Sequence, residues 1–366
     1  MLRKDTALFR SFYEGELMER FEVDIGQAQD ILRAYGIDRR ITALKELLRY
    51  HYDEGDNPTD EVRLILRAEL DDREPVVIKL LREEEYPASV MEAQAAFSET
   101  LRRHGVPTAR HYAAGERFVT LWNIMGREIQ VTVEDFVKGQ LQIINVETAR
   151  QIGRMHARAH EISLRAGCHV DYPVLFDALG ENDLFSFAML EEQLPGMPDP
   201  LRGKAENVLA LCHDHQAALS PLAAYPRCAT QGDLSDCNLY RTSDGEIGMF
   251  DFNNCGDAVP LVDAIMQGIF VSRLMDYGQE PTEAFSLGLL RAYLEGYESI
   301  RPLTAQEKEL ARHMDALCAA LWRFDLVFGD DSLKNLLARG DMAGADALLD
   351  TLLRRAQWRR PLFQGA

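Results

Sequence analysis

A chain of 366 residues, 46% apolar and 27% charged, has the balance of a folded globular protein and exceeds what one hydrophobic core ordinarily supports, so two domains or lobes are expected. Its formal charge of −19, from 40 basic and 59 acidic residues, disfavours nucleic acid and anionic membrane surfaces and favours cationic partners, while also serving solubility. No run of 18 apolar residues occurs, so neither a signal peptide nor a membrane span is expected and the cytoplasm is the default; six scattered cysteines without a C-x-x-C fit free thiols there.

Helical periodicity over 13–36, stopping at Gly36, predicts an N-terminal helical arm over 1–37. From Ile41 to Leu81 the runs ITALKELLRYHY, EVRLILRAEL and EPVVIKLL are separated by the turn compositions DEGDNPTD and DDRE, which predicts a three-stranded antiparallel meander. SVMEAQAAFSETLRRHG follows as a helix, and RFVTLWNIMGREIQVTVEDFVKG adds two strands around a Gly126-Arg127 turn. Five strands and one helix make a small α+β lobe over 38–135. EDFVKGQ, 134–140, is expected to cross into a larger, mainly helical C-terminal lobe, 136–366, which starts with the long helix VETARQIGRMHARAHEISL and ends in amphipathic segments from 281 to 357.

Within the helical region, TQGDLSDCNLY (230–240) holds two acids, an amide and a thiol among few apolar residues, which rules out an ordinary core strand. LYRTSDGEIGMF then offers two strand-like arms around Asp244-Gly245, a strong two-residue hairpin signal. With those two as the turn, Asn238 stands opposite Asp251 at the open end, with Cβ atoms roughly 4.5 to 5.5 Å apart. An amide oxygen and a carboxylate so placed suit Mg²⁺, which takes few protein ligands and completes its shell with phosphate oxygens and water. Asp233 precedes Asn238 by five residues, the spacing of the D-L-x-x-x-N part of a kinase catalytic loop, and Asp-Phe-Asn at 251–253 stands where D-F-G would.

QGDLSDCN, EIGMFDF and PLVD (260–263), in that order, resemble the brackets of the aminoglycoside phosphotransferase and choline kinase-like enzymes, small-molecule relatives of protein kinases. The resemblance covers about residues 40–340 and implies a bilobal α+β protein-kinase-like fold. It implies phosphoryl transfer from an Mg-nucleotide, ATP or GTP, to a hydroxyl of an aminoglycoside-, choline- or homoserine-like acceptor. Asp233 would be the catalytic base, Asn238 and Asp251 the Mg²⁺ ligands, and Lys79 of PVVIKLL the lysine on the α- and β-phosphates. The backbone of VEDFVKG would meet the nucleotide base. Glu92 would be the lysine's partner; the competing reading is that Glu92 only closes the Ser89-x-x-Glu92 capping box, with Glu99 as a further candidate. No G-x-G-x-x-G precedes Lys79; the first turn has a single Gly55.

The family's loop His is Gln231 in this chain, which leaves open a catalytically silent nucleotide-binding protein, although Gln also donates and accepts. His160 and Asp263 resemble the family's structural His and Asp. Asp236, Asp257, Asp325, Asp330 and Asp331, with Trp322, are candidate contacts for an amine-bearing acceptor or simply surface acids and a core aromatic. Cys212, His213 and His215 cannot all share one helix face, which argues against a metal site.

Overall fold

The computed structural model describes residues 20–52, 59–84, 86–179, 182, 184–357 and 360–363. Residues 1–19 of the predicted arm, and Gly55 with most of the turn around it, lie outside the described residues. The chain divides into two compact units: the first runs to Gly139 and takes in Tyr240–Thr242 and Gly248–Asn253, and the second holds Gln140–Leu239, Ser243–Ile247 and the chain from Asn254 onward.

In the first unit, α1 (Ile25–Ala34) begins at Asp24, whose carboxylate accepts from the Gln27 N–H while the Gln27 side chain accepts from the Asp24 N–H. This reciprocal cap sets the start well inside the predicted 13–36, and Gly36, at φ 72°, takes the left-handed turn that follows. Five antiparallel strands follow in the order β1-β2-β3-β5-β4: β1 (Ile41–Tyr50), β2 (Val62–Leu70), β3 (Arg73–Arg82), β4 (Thr120–Ile124) and β5 (Arg127–Asp135). The β4–β5 turn is Met125-Gly126, both at positive φ, the primed turn that matches strand twist and one residue earlier than predicted. Leu64, Leu66, Val76, Ile78, Leu80, Ile129, Val131 and Val133 share one face and form a core with Ile31 and Leu32 of α1. Period-two alternation therefore sends Lys79, Thr132 and Glu134 to the opposite face, where α2 (Ala88–Arg103) lies. Glu134 and Asp135 belong to β5, so the predicted crossing segment begins two residues too early.

The second unit contains α3 (Val146–Ala166), α4 (Phe187–Glu191), α5 (Asp199–Ala218), β6 (Cys228–Thr230), β9 (Gly256–Ala258), α6 (Pro260–Arg273), α7 (Glu283–Glu298), α8 (Ala305–Ala320), α9 (Leu333–Ala338) and α10 (Met342–Gln357). Where α3 crosses α7 the two backbones meet. A Cβ on Gly153 would lie 1.9 Å from the Tyr293 carbonyl oxygen, and one on Gly296 would lie 1.9 Å from the Arg150 oxygen. Such reciprocal approach is open only to glycine.

β7 (Leu239–Arg241) and β8 (Ile247–Met249) form the predicted hairpin, but its loop is longer than the sequence suggests. Five residues, 242–246, separate the strands; Ser243 and Asp244 make the turn and Gly245 follows at φ 85°. The two-residue register that set Asn238 opposite Asp251 is thus not the one adopted. Asn238 sits in the 3₁₀ turn Asp236–Asn238, and Asp251, at φ 56°, lies past the end of β8.

Candidate active site

Lys79 occupies the middle of β3, a strand buried from Pro75 to Leu81, and its side chain is 7% exposed. A lone ammonium would not survive there, and Lys79 has two acidic partners: Glu134 Oε1 at 3.1 Å and Asp251 Oδ1 at 3.2 Å. Burial alone would lower its pKa, but Asp251 and then Glu134 outweigh that, so the lysine stays charged well above its ordinary range. Burial likewise disfavours ionised Glu134, yet Lys79 and His111 pull its pKa down to about 2. The other Glu134 oxygen lies 3.0 Å from His111 Nε2. Beside these groups a cavity of about 20 Å³ is lined by Gln94, His111, Thr132 and Phe252, among others. The chain after Asp251 is fixed in the same unit: the Asn253 carbonyl accepts from Tyr86 and Gln94, and Phe252 packs edge-on against Phe97. This surrounding order offsets the cost of the left-handed backbone at Asp251, a region Asp tolerates better than most residues.

In the second unit, the loop between β6 and the 3₁₀ turn carries Asp233. Its Oδ2 accepts from Asn238 Nδ2 and from Asn254 Nδ2, both at 3.0 Å, and the Asn238 amide also reaches the Asp233 carbonyl. Gly232, at φ 76°, leaves room for the Asn254 carbonyl, which a Cβ would approach to 2.6 Å. Gln231 accepts from the Asp233 N–H at 2.8 Å, so the residue replacing the family histidine holds the loop by its own side chain. Gln267 on α6 accepts from the Leu234 N–H at 2.8 Å and donates to Asp263.

Asp263 anchors a buried network. Its Oδ2 accepts from His156 Nε2 at 2.8 Å and His160 Nε2 at 3.0 Å, and the two Nδ1 atoms meet the hydroxyls of Tyr293 and Tyr297. His156, His160 and Asp263 are the cluster with metal-ligand geometry among the described residues, yet every ring nitrogen already has a hydrogen-bond partner within the protein. Burial, then His156, lowers the His160 pKa from 6.5 to about 4, so the imidazole is folded in its neutral form. The unfolded chain therefore takes up a proton there as pH falls below 6.5, while the folded chain resists until about pH 4. Across that window the group removes up to about 1.4 kcal/mol of stability per pH unit. Urea unfolding at pH 7 and pH 4.5 is expected to show the loss in the wild type and a smaller one in His160→Gln; equal losses would contradict a neutral His160.

The remaining candidates are engaged by other partners. Glu92 accepts from the Phe118 and Val119 N–H groups, and Glu99 binds Arg102 and the His111 N–H. Pro87 occupies the N-cap of α2, and Ser89 is inside the helix, so the capping box does not form either. Glu134 was hidden in the sequence by its assignment to a crossing segment; its signal was the period-two alternation that puts it on the face opposite Val131 and Val133. Asp257 accepts from the Val170 N–H, Asp325 pairs with Arg355, Asp331 with Arg339, and Asp236 accepts from the Asp276 N–H. Trp322 is 6% exposed beneath Arg273, a core position. Cys212 and His215 are buried while His213 stacks on Phe187, as the lack of a common face requires.

Residues 64–303 match the phosphotransferase enzyme family. The chain belongs to that family. Solved structures similar to this family member include a microcompartment-associated aminopropanol kinase (TM-score 0.53, 18% identity, covering 91% of this chain and 98% of that one). An amicoumacin kinase in complex with AMP-PNP, Ca²⁺ and Ami is similar over 92% of this chain and 95% of that one, with TM-score 0.51 and 15% identity. An aminoglycoside phosphotransferase from Alicyclobacillus acidocaldarius has TM-score 0.51 and 14% identity over 85% of this chain and 93% of that one. At these identities the likeness establishes the kinase-like fold, a five-stranded antiparallel sheet unit followed by a mainly helical one. An uncharacterized protein of Deinococcus radiodurans is 29% identical over 137 residues, 37% of this chain and 36% of that protein's length. No helix among the described residues is long and apolar enough to cross a membrane.

Proposed function

We propose that this phosphotransferase moves the γ-phosphate of an Mg-nucleotide to a hydroxyl of a small molecule, with Asp233 as the base. The observation that carries this reading is the Asp233 carboxylate, oriented through one oxygen by two carboxamide donors at 3.0 Å. A carboxylate so held takes the acceptor's hydroxyl proton without first reorganising. Asn238 and Asp251, the Mg²⁺ ligands that the family resemblance implies, each carry a side-chain oxygen of the hard kind that ion takes; the ion, when bound, neutralises charge on the transferring phosphoryl group. Lys79 would receive the nucleotide phosphates, its ammonium kept charged inside the protein. Gln231 supports an active enzyme over a silent one, since its bond to the Asp233 N–H does a loop histidine's work.

The acceptor is a small alcohol of the aminoglycoside-, choline- or homoserine-like kind, and the charge of −19 favours a cationic one. A thermal-shift screen of amines and sugar alcohols in the presence of Mg-AMPPNP identifies it, because a ligand of the folded state raises the melting temperature by mass action. Mg-dependent turnover of the best hit is the expected result. Nucleotide binding with no transfer to any hit would favour the silent reading. Lys79→Met is expected to weaken Mg-nucleotide binding by roughly 10- to 100-fold, the worth of a charge-assisted hydrogen bond, measured by titration calorimetry.

A further inference from the structure

The ammonium of Lys79 has two carboxylates within 3.2 Å, and neither comes from α2. The strand register explains the first. Lys79 pairs with Thr132 and Val77 with Glu134, so Lys79 and Glu134 are diagonal neighbours on one face, within reach of two long side chains. Glu134 is itself immobilised: its backbone bridges that of His111, and its second oxygen meets the His111 ring. The two glutamates of α2 that would be alternatives hold backbone N–H groups of Phe118, Val119 and His111 instead.

We infer that Glu134 is the positioning residue for Lys79, aligning the ammonium for the nucleotide phosphates from within the β-sheet rather than from a helix. The inference rests on the reading of Lys79 as the phosphate lysine. Lys79 needs a second carboxylate because Asp251, its other partner, is also a candidate cation ligand. Whatever draws Asp251 away leaves Glu134 to hold the charge. Since β3 and β5 are hydrogen-bonded neighbours, the alignment is set when the sheet folds, and α2 touches it only through the Glu99 carboxylate that holds the His111 N–H.

The test is binding of Mg-AMPPNP and of adenosine, or of the guanine counterparts if the wild type prefers them, to the full chain and its variants. Glu134→Gln, nearly the same shape without the charge, is expected to weaken the triphosphate analogue about tenfold and leave the nucleoside unchanged. In a Lys79→Met background the same change should add no further loss. His111→Gln, which loosens one Glu134 oxygen, should give a smaller loss confined to the triphosphate and serves if Glu134→Gln folds poorly. Glu92→Gln should lower the melting temperature and leave the ratio of the two affinities alone. The inference is overturned if Glu134→Gln and His111→Gln spare the triphosphate, if they weaken both ligands equally, or if the selective loss appears in Glu92→Gln. Those results leave the phosphotransferase reading standing, whereas a wild type that binds no nucleotide overturns both.

Discussion

Asp233→Asn is expected to lower turnover by about 10²- to 10⁴-fold, the usual worth of general-base action, while Mg-nucleotide affinity stays largely unchanged. The substitution keeps the shape of the side chain and one oxygen able to accept from Asn238 and Asn254, so these two contacts can persist. What it removes is the basicity needed to take the hydroxyl proton. Single-turnover kinetics with the acceptor found by thermal shift separates the chemical step from binding and release. If the variant transfers phosphate at the wild-type rate, Asp233 is not the base. Asn254→Ala, which deletes one of the two donors, should produce a weaker version of the same defect, in kcat more than in KM.

Gly153→Ala is expected to cost about 3 kcal/mol or more, beyond the usual range for overpacking. A methyl group at that position would sit 1.9 Å from the Tyr293 carbonyl oxygen, and no rotamer change relieves a clash with backbone. Relief requires α3 and α7 to separate, which pulls His156 and His160 from the hydroxyls of Tyr293 and Tyr297 and leaves buried polar groups unpaired. Gly203 and Gly288 provide the control. Both lie inside helices with nothing within 4 Å of where the methyl would stand, so alanine there should stabilise by about 0.5–1 kcal/mol through helix propensity. Urea denaturation of the three variants therefore gives opposite signs for one substitution. A mild effect at Gly153 would mean that the helices are not in backbone contact.

The sheet unit was legible because its strands alternate or run continuously apolar between turn compositions, and the order of β1 to β3 followed from connection length alone. What is local in sequence was legible: Asp233 and Asn238 were placed in one loop, although the hydrogen bond between their side chains was not foreseen. It was illegible wherever a register had to be assumed. A loop of 242–246 in place of a two-residue turn removed the argument that faced Asn238 with Asp251. The family resemblance offered Glu92 as partner to Lys79, whereas the carboxylate found beside it is Glu134, placed by the strand pairing with Val77, and cross-strand pairing is not encoded in either strand by itself. The cap at Asp24 and the glycine contact between α3 and α7 depend on neighbours distant or subtle enough that periodicity alone does not report them.

A lysine tied to its own sheet also narrows a point of control. In a layout where a mobile helix delivers the acid, nudging that helix dims or restores nucleotide handling; the acid beside Lys79 comes from the neighbouring strand, so a shift of α2 would reach it only through the Glu99–His111 contact. An inhibitor meant to disarm it must compete for Lys79 directly, and a neutral group that breaks the ammonium from its acids would have to compensate for the burial of an unmatched charge.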